Sequence, residues 1–364
     1  MILQFLTAFI LVVFTQAVVY HLLALRGLTY SCSITHSRIF EGENNQLTEV
    51  IENRKLLPLL WLRIETRFSE TMLFTKNDNT NVRAGVFHRS VTSMQPFRRI
   101  KRVYKIVCTK RGYYRLGAAT VTTGDLIGLA NKSIAYKSEA ELHVYPIALK
   151  PSLLNFPARS FLGDTIVKRF FLPDPFLPAG IRDYSNTDPQ KLINWKASAK
   201  TGKLVVQRHD FTSDSNLLVF FNTDYSSGSW DNSTPQKTDT LENMLRVLAA
   251  ILDMSILRGQ KTALYTNAIS ECDGREVFVT SASGRNQREK LYMAMAEIKF
   301  VRTRSFHSLI RETASIIKDE DVLIMTRYVS DEIITECNNL RKAGNKVEIF
   351  IVPDSLTERR GAGV

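Results

Sequence analysis

No acidic or basic side chain precedes Arg26: the stretch from Met1 to Leu25 holds neither Asp, Glu, Lys nor Arg. Apolar residues dominate from Ile2 through Ala24, and roughly twenty residues rising about 1.5 Å each cross a hydrocarbon core of about 30 Å. The basic n-region of a secretory signal is missing, and the run exceeds an h-region of about 7–15 residues. The expectation is an uncleaved span over residues 2–25. Cysteine is also scarce. Cys32, Cys108, Cys272 and Cys337 form no CxxC pair and no Cys/His cluster with ligand spacing, which disfavours a zinc ribbon or disulfide framework and points to reduced structural thiols. P-loop, G-x-G-x-x-G and H-E-x-x-H patterns are absent, so nucleotide hydrolysis, dinucleotide chemistry and zinc proteolysis lack their usual cradles. The histidines His21, His36, His88, His143, His209 and His307 are scattered.

What is present is a chain of 364 residues, enough for two or three domains. Lys and Arg total 48 against 36 Asp and Glu, a net charge of +12 that keeps a nucleic acid, an anionic membrane or an acidic partner open. Arg26, Arg38, Arg54 and Lys55 follow the apolar run and nothing basic precedes it, so the bulk is expected in the cytoplasm of a single-pass cell-membrane protein.

Four regions are predicted: a transmembrane helix at 1–26, a β-sandwich-like domain at 27–150, a connector at 151–215 and an α/β domain at 216–364. In the second, Leu47 to Ile51, Trp61 to Thr66, Val103 to Thr109 and Leu142 to Tyr145 read as short strands between turn residues. Pro58, inside Arg54 to Leu62, argues for an extended edge segment. The connector carries Pro157, Pro173, Pro175, Pro178 and Pro189 and reads as irregular. Beyond it, Leu217 to Phe221, Thr262 to Tyr265, Val277 to Thr280, Val322 to Met325 and Val347 to Val352 read as strands. Helical patterns at Thr238 to Leu257, Gln287 to Ile298, Ser305 to Ile317 and Ser330 to Arg341 alternate with them, which predicts a mostly parallel sheet covered on both faces.

Three stretches resemble the bacterial membrane-anchored proteins of domain-of-unknown-function family 58. Gly180 to Phe211 (GIRDYSNTDPQKLINWKASAKTGKLVVQRHDF) is similar to that family's signature of R-x-Y, D-P, I-[DN]-W-K-A-S-A-[RK] and L-x-V. Arg111 to Pro146 resembles its R-G-x-Y-x-[LF]-G, D-x-[FL]-G-L and V-Y-P series, and Phe40 to Leu62 resembles the entry to its membrane-proximal β-domain. The resemblance covers nearly the whole chain. It implies a C-terminal von Willebrand factor A-like, Rossmann-type α/β domain and a MoxR-type AAA+ ATPase as partner.

A von Willebrand A domain that binds a divalent ion presents D-x-S-x-S after its first strand, a Thr from a second loop and an Asp after a later strand, hard oxygen ligands that suit Mg²⁺. Here Asn222 stands where the first Asp is expected, followed by Asp224, Ser226 and Ser227, and Arg327 stands in the later T-D-G position. Two like charges about 4 Å apart repel by roughly 4 kcal/mol at an effective dielectric near 20, so a guanidinium there opposes an ion. Asn222, Asp224, Ser226, Thr303 and Arg327 therefore form a degenerate metal site, and no metal or other cofactor is expected.

The signature residues Arg182, Tyr184, Asp188, Asn194, Trp195, Lys196 and Ser198 admit two readings: a docking surface, or a structural clamp in which Arg182 pairs with Asp188 and Trp195 packs as filler. Ser198 with His209 and Asp210 can be written as a nucleophile constellation, but adjacent strand residues point to opposite faces. Arg98, Arg99, Lys101, Arg102, Lys105, Lys110 and Arg111 form a basic cluster that fits a solvated face or lipid contact better than nucleic acid. The expected function is a non-enzymatic, membrane-anchored scaffold or interaction protein. The alternatives are a metal-ion-dependent adhesion protein and a hydrolase using residues 180–211.

Overall fold

A computed structural model of the chain describes residues 2–74, 87–116, 118–125, 127–137, 140–149, 178–185, 193–209, 216–226 and 234–352. The chain divides into two compact units, Met1–Tyr145 and Pro146–Val364.

The first unit opens with α1 (Ile2–Leu23), mostly apolar and without an acidic side chain, lysine or arginine. Most of its side chains up to Val19 are exposed, whereas Tyr20 and, just beyond the helix, Ala24 are buried against Leu28, Leu59 and Leu62. Its few polar residues, Gln4, Thr7, Thr15, Gln16 and His21, are scattered among exposed apolar side chains that water does not favour. It is long and apolar enough to cross a membrane.

Eleven strands follow: β1 (Leu28–Ile34), β2 (Arg38–Phe40), β3 (Asn44–Asn53), β4 (Leu59–Arg67), β5 (Met72–Phe74), β6 (Phe87–Met94), β7 (Arg99–Cys108), β8 (Gly112–Leu116), β9 (Ala119–Gly124), β10 (Asn131–Tyr136) and β11 (Ala140–Tyr145). They form sheets ordered β1-β3-β7-β5, β10-β9-β4-β6 and β2-β11-β8, antiparallel except for β2 on β11. Period-two alternation drives the packing: β3 buries Leu47 and Ile51, and Ile51 meets Leu62 and Ile64 of β4 and Val121 of β9 in one core. Pro58 does not make an edge strand. It immediately precedes β4, which pairs with β6 on one side and β9 on the other, so its missing N–H interrupts no ladder.

The sequence stretches noted above meet here. Glu41 Oε1 accepts a 2.9 Å bond from Arg111 N, and the Trp61 indole donates to Asp125 O at 3.2 Å. A Cβ on Gly124 would lie 2.4 Å from Ala130 O, so only glycine fits between these strands.

In the second unit the connector is more regular than its prolines suggest. β12 (Pro178–Asp183) pairs antiparallel with β13 (Val205–His209), and α2 (Trp195–Thr201) lies between them in sequence. Then come β14 (Leu217–Phe221), α3 (Pro235–Leu257), β15 (Thr262–Ser270), β16 (Glu276–Ala282), α4 (Arg285–Glu297), β17 (Ile298–Arg302), α5 (Phe306–Ala314), β18 (Asp321–Thr326), α6 (Asp331–Lys342) and β19 (Lys346–Ile351). The sheet runs β16-β15-β14-β18-β19, with β17 also on β15. β15, β14, β18 and β19 are mutually parallel, and β16 and β17 are antiparallel to β15.

Leu218 and Phe220 of β14 pack on Phe306, Leu309 and Ile310 of α5 and on Ile333 and Leu340 of α6. Leu217, Val219 and Phe221 alternate to the other face, and α3 buries Leu241, Leu245 and Leu248. Arg288 of α4 donates two bonds to Asp253 of α3, at 2.7 and 3.0 Å, and Tyr292 adds a third at 2.7 Å. Because β14 has β15 on one side and β18 on the other, the strand order reverses between β14 and β18. In open α/β sheets a crevice forms beyond the carboxyl ends of the strands at such a point.

Candidate functional site

Burial does not stop where β14 ends. Asn222 and Thr223 are 0% exposed and Asp224 is 1% exposed. Polar groups this deep need partners, and those they find tie three strand ends together. Asn222 N continues the ladder to Met325 O at 2.9 Å, and its Nδ2 donates to Thr326 Oγ1 at 3.0 Å, across the β14–β18 reversal. Asn222 Oδ1 accepts from Asp224 N at 3.0 Å. From β15, Asn267 Oδ1 accepts from both Thr223 N (3.0 Å) and Thr223 Oγ1 (2.9 Å).

The charge at this edge comes from β17. Arg302, its side chain 8% exposed, donates through Nη1 to Asp224 Oδ2 at 3.2 Å. Asp224 Oδ1 and Asn267 Nδ2 are buried without a hydrogen bond. Burial pushes the Asp224 carboxyl above its ordinary value, opposed first by the Arg302 charge and hydrogen bond, then by the Asn267 amide and the charge of His307. Burial also raises the Tyr328 phenol, helped by the negative Asp224 and opposed by Asn222. The resulting group is the Asp224 acid, the Arg302 guanidinium and the amides of Asn222 and Asn267 at the crevice, with the guanidinium held at hydrogen-bond distance from the acid.

Of the residues expected as a degenerate metal site, Asn222 and Asp224 come together here. Ser226 is exposed, and Thr303 turns its hydroxyl 2.5 Å from Glu276 Oε1. Arg327 points elsewhere: Nη1 donates to Val352 O at 2.9 Å, and its guanidinium lies 5.3 Å from the Tyr225 ring centroid. Successive residues at a strand end face opposite ways, and Thr326 already faces Asn222, so Arg327 cannot. The guanidinium at the acid belongs to Arg302 instead. No sequence motif marks Arg302 or Asn267 as a site residue. The available signal was a buried strand, TALYTNAIS, carrying an amide among apolar residues. Among the described residues no group of three or more His, Cys, Asp or Glu side chains is placed to hold a metal.

The signature segment forms a short capped helix. Asn194 accepts from Ala197 N at 3.0 Å as N-cap, and Gly202, at φ 67°, closes the other end through its N–H to Ser198 O at 2.9 Å. Tyr184 N donates to Leu204 O at 2.9 Å. Ser198 is spent on the backbone: its hydroxyl accepts from Val205 N at 3.0 Å and donates to Val205 O at 3.5 Å. Trp195, which the clamp reading packs as filler, is 68% exposed, at the first helical position beside the exposed Lys196. Asp188, Asp210 and the side chains of Arg182 and His209 lie outside the described residues.

The basic cluster is divided by strand alternation. Arg99, Lys101 and Lys105 of β7 are exposed, whereas Arg102 donates to Ser90 Oγ at 2.6 Å and Arg111 is buried.

No family model matches the chain. It is 22% identical over 243 residues to YeaD, an uncharacterized protein of Bacillus subtilis (strain 168), covering 66% of this chain and 56% of that protein. The chain thus spans little more than half the length of this curated relative. Among solved structures, the CARDB domain of a Pyrococcus furiosus protein is 10% identical, with a TM-score of 0.21, over 33% of this chain and 90% of that one. A non-cellulosomal cohesin of Archaeoglobus fulgidus is 7% identical, TM-score 0.22, over 33% and 92%. An exo-β-N-acetylglucosaminidase of Vibrio harveyi is 9% identical, TM-score 0.25, over 88% and 75%. Likenesses at these scores carry no functional argument.

Proposed function

We propose that the protein is a membrane-anchored, non-enzymatic interaction protein of family 58 type, held in the cell membrane by α1 with its bulk in the cytoplasm. Its C-terminal unit, which we read as von Willebrand A-like, offers the carboxyl-edge loops around Asn222 to Ser226 and Arg302 to Ser305 to a protein partner. The observation that carries this reading is the buried Asp224–Arg302 pair. Where a metal-dependent relative would recruit an ion to face a partner's carboxylate, this chain brings its own guanidinium, so the edge is complete without one. Supporting it, Ser198 is engaged with the backbone of Val205 and so is poorly placed as a nucleophile.

The partner implied by the resemblance is a MoxR-type AAA+ ATPase, with assembly of envelope or other protein complexes as the process. The test is co-purification of the detergent-solubilised full chain with a co-expressed MoxR-type ATPase from the same bacterium. The expected result is a complex that is lost in a Ser226→Arg, Thr303→Arg variant, since both side chains are exposed at this edge. No complex, or one indifferent to these substitutions, contradicts the proposal.

A further inference from the structure

α1 leaves the first unit at the end where β4 and β10 begin and where β6 and β9 finish. The attachment is specific. Tyr20 OH donates to Pro58 O at 3.0 Å, Lys55 Nζ donates to Arg26 O at 2.9 Å and also to Ala24 O, and Lys132 Nζ donates to His21 O at 3.1 Å. Around this exit three loops project large apolar side chains into solvent: Leu56 is 76% exposed, Phe97 67%, Ile127 54% and Leu129 67%.

Two of these loops are stapled together. The buried Asn53 donates through Nδ2 to Leu57 O and to Gln95 O, both at 3.1 Å, and Asn53 N donates to Arg98 O at 2.9 Å. Phe97 N donates to Lys55 O at 3.3 Å, and Phe97 holds φ at 52°, a conformation unfavourable for a bulky residue. Strain and polar staples are thus used to present a phenyl ring outward. Arg26, Arg54, Arg98 and Arg99 are exposed at the same end, Arg54 paired with Glu52 at 2.8 Å.

Attachment decides what faces this end. With Tyr20 and Ala24 packed in the β-domain core and the carbonyls of His21, Ala24 and Arg26 bonded by Lys132 and Lys55, no free linker separates the exposed part of α1 from the domain. A span made by this helix therefore draws the loop end of the domain down to the membrane surface. The geometry points to a second membrane contact beyond the helix: Leu56, Phe97, Ile127 and Leu129 embed in the interface of an anionic bilayer, with the surrounding arginines on its headgroups. This combination of apolar insertion and basic surround is the chemistry of interfacial binding. It fixes the orientation of the β-domain on the bilayer, and it rests on α1 spanning the membrane and not on the Asp224 site.

The experiment uses the full chain in vesicles of phosphatidylcholine and phosphatidylglycerol with brominated acyl chains. Emission of Phe97→Trp, Leu129→Trp, Phe9→Trp and Phe278→Trp variants is read as a difference from the unsubstituted chain. The expected result is blue-shifted, bromine-quenched emission at positions 97, 129 and 9, and unquenched emission at Phe278, an exposed position on β16. Quenching at 9 with 97 and 129 matching 278 overturns the contact and leaves the span standing. Loss of quenching at 9 overturns the span itself, and the contact with it. Equal quenching at 97 in purely zwitterionic vesicles contradicts the role given to the arginines.

Discussion

At Asp224 two effects oppose one another: burial favours the neutral acid, and Arg302 at 3.2 Å favours the carboxylate. Removing the guanidinium strands a buried charge, which typically costs about 3–5 kcal/mol, whereas replacing both partners by uncharged groups is often near neutral. Arg302→Met is therefore expected to lower the melting temperature by roughly 10 °C, and Asp224→Asn added to it to restore most of the loss. An unchanged melting temperature in the single variant would mean the pair is not formed. Glu336 behaves oppositely to Asp224. Burial would raise its carboxyl, but Asn339 at 3.0 Å and Arg311 at 2.7 Å hold it below the ordinary value on balance. A carboxylate whose folded pKa is depressed stabilises the fold above its unfolded value of about 4.3, and that stability is lost as pH falls through the lower folded value. Glu336→Gln should thus cost about 1 kcal/mol at neutral pH, discounted for the exposed Arg311. In thermal melts the gap to the unsubstituted chain should close below about pH 4; a constant gap would contradict the assignment.

At the scale of elements, period and breaker residues made most of the C-terminal unit legible. LLVFF is β14, and the patterns at Thr238 to Leu257 and Ser330 to Arg341 are α3 and α6, because a strand buried on both faces and an amphipathic helix each leave a repeating signature in the chain. Pro58 misled because a strand's pairing on both sides is a tertiary fact, and a proline one residue before the strand costs it nothing. The connector looked structureless because its regular parts are short and interrupted: five residues of β13 and seven of α2 give too few turns of any period to read. The site was only half visible. Asn222 and Asp224 follow directly from the end of β14, but Arg302 reaches them from β17, and no local pattern announces that a strand paired off the main path will deliver a charge there.

At the scale of the whole molecule, an apolar helix, antiparallel sheets and an α/β sheet are joined in one chain with a net charge of +12. In the proposed reading the first unit supplies attachment, and the second supplies an edge carrying Asn222, Asn267 and the Asp224–Arg302 ion pair. The proposed division of labour depends on that edge working without a recruited ion. Thermal melting of the full chain across a titration of Mg²⁺ and then Mn²⁺ tests it most directly, since any ligand that binds only the folded state raises the melting temperature with concentration. The account predicts a melting temperature indifferent to either ion. A saturable rise, abolished by Asp224→Asn, would contradict it.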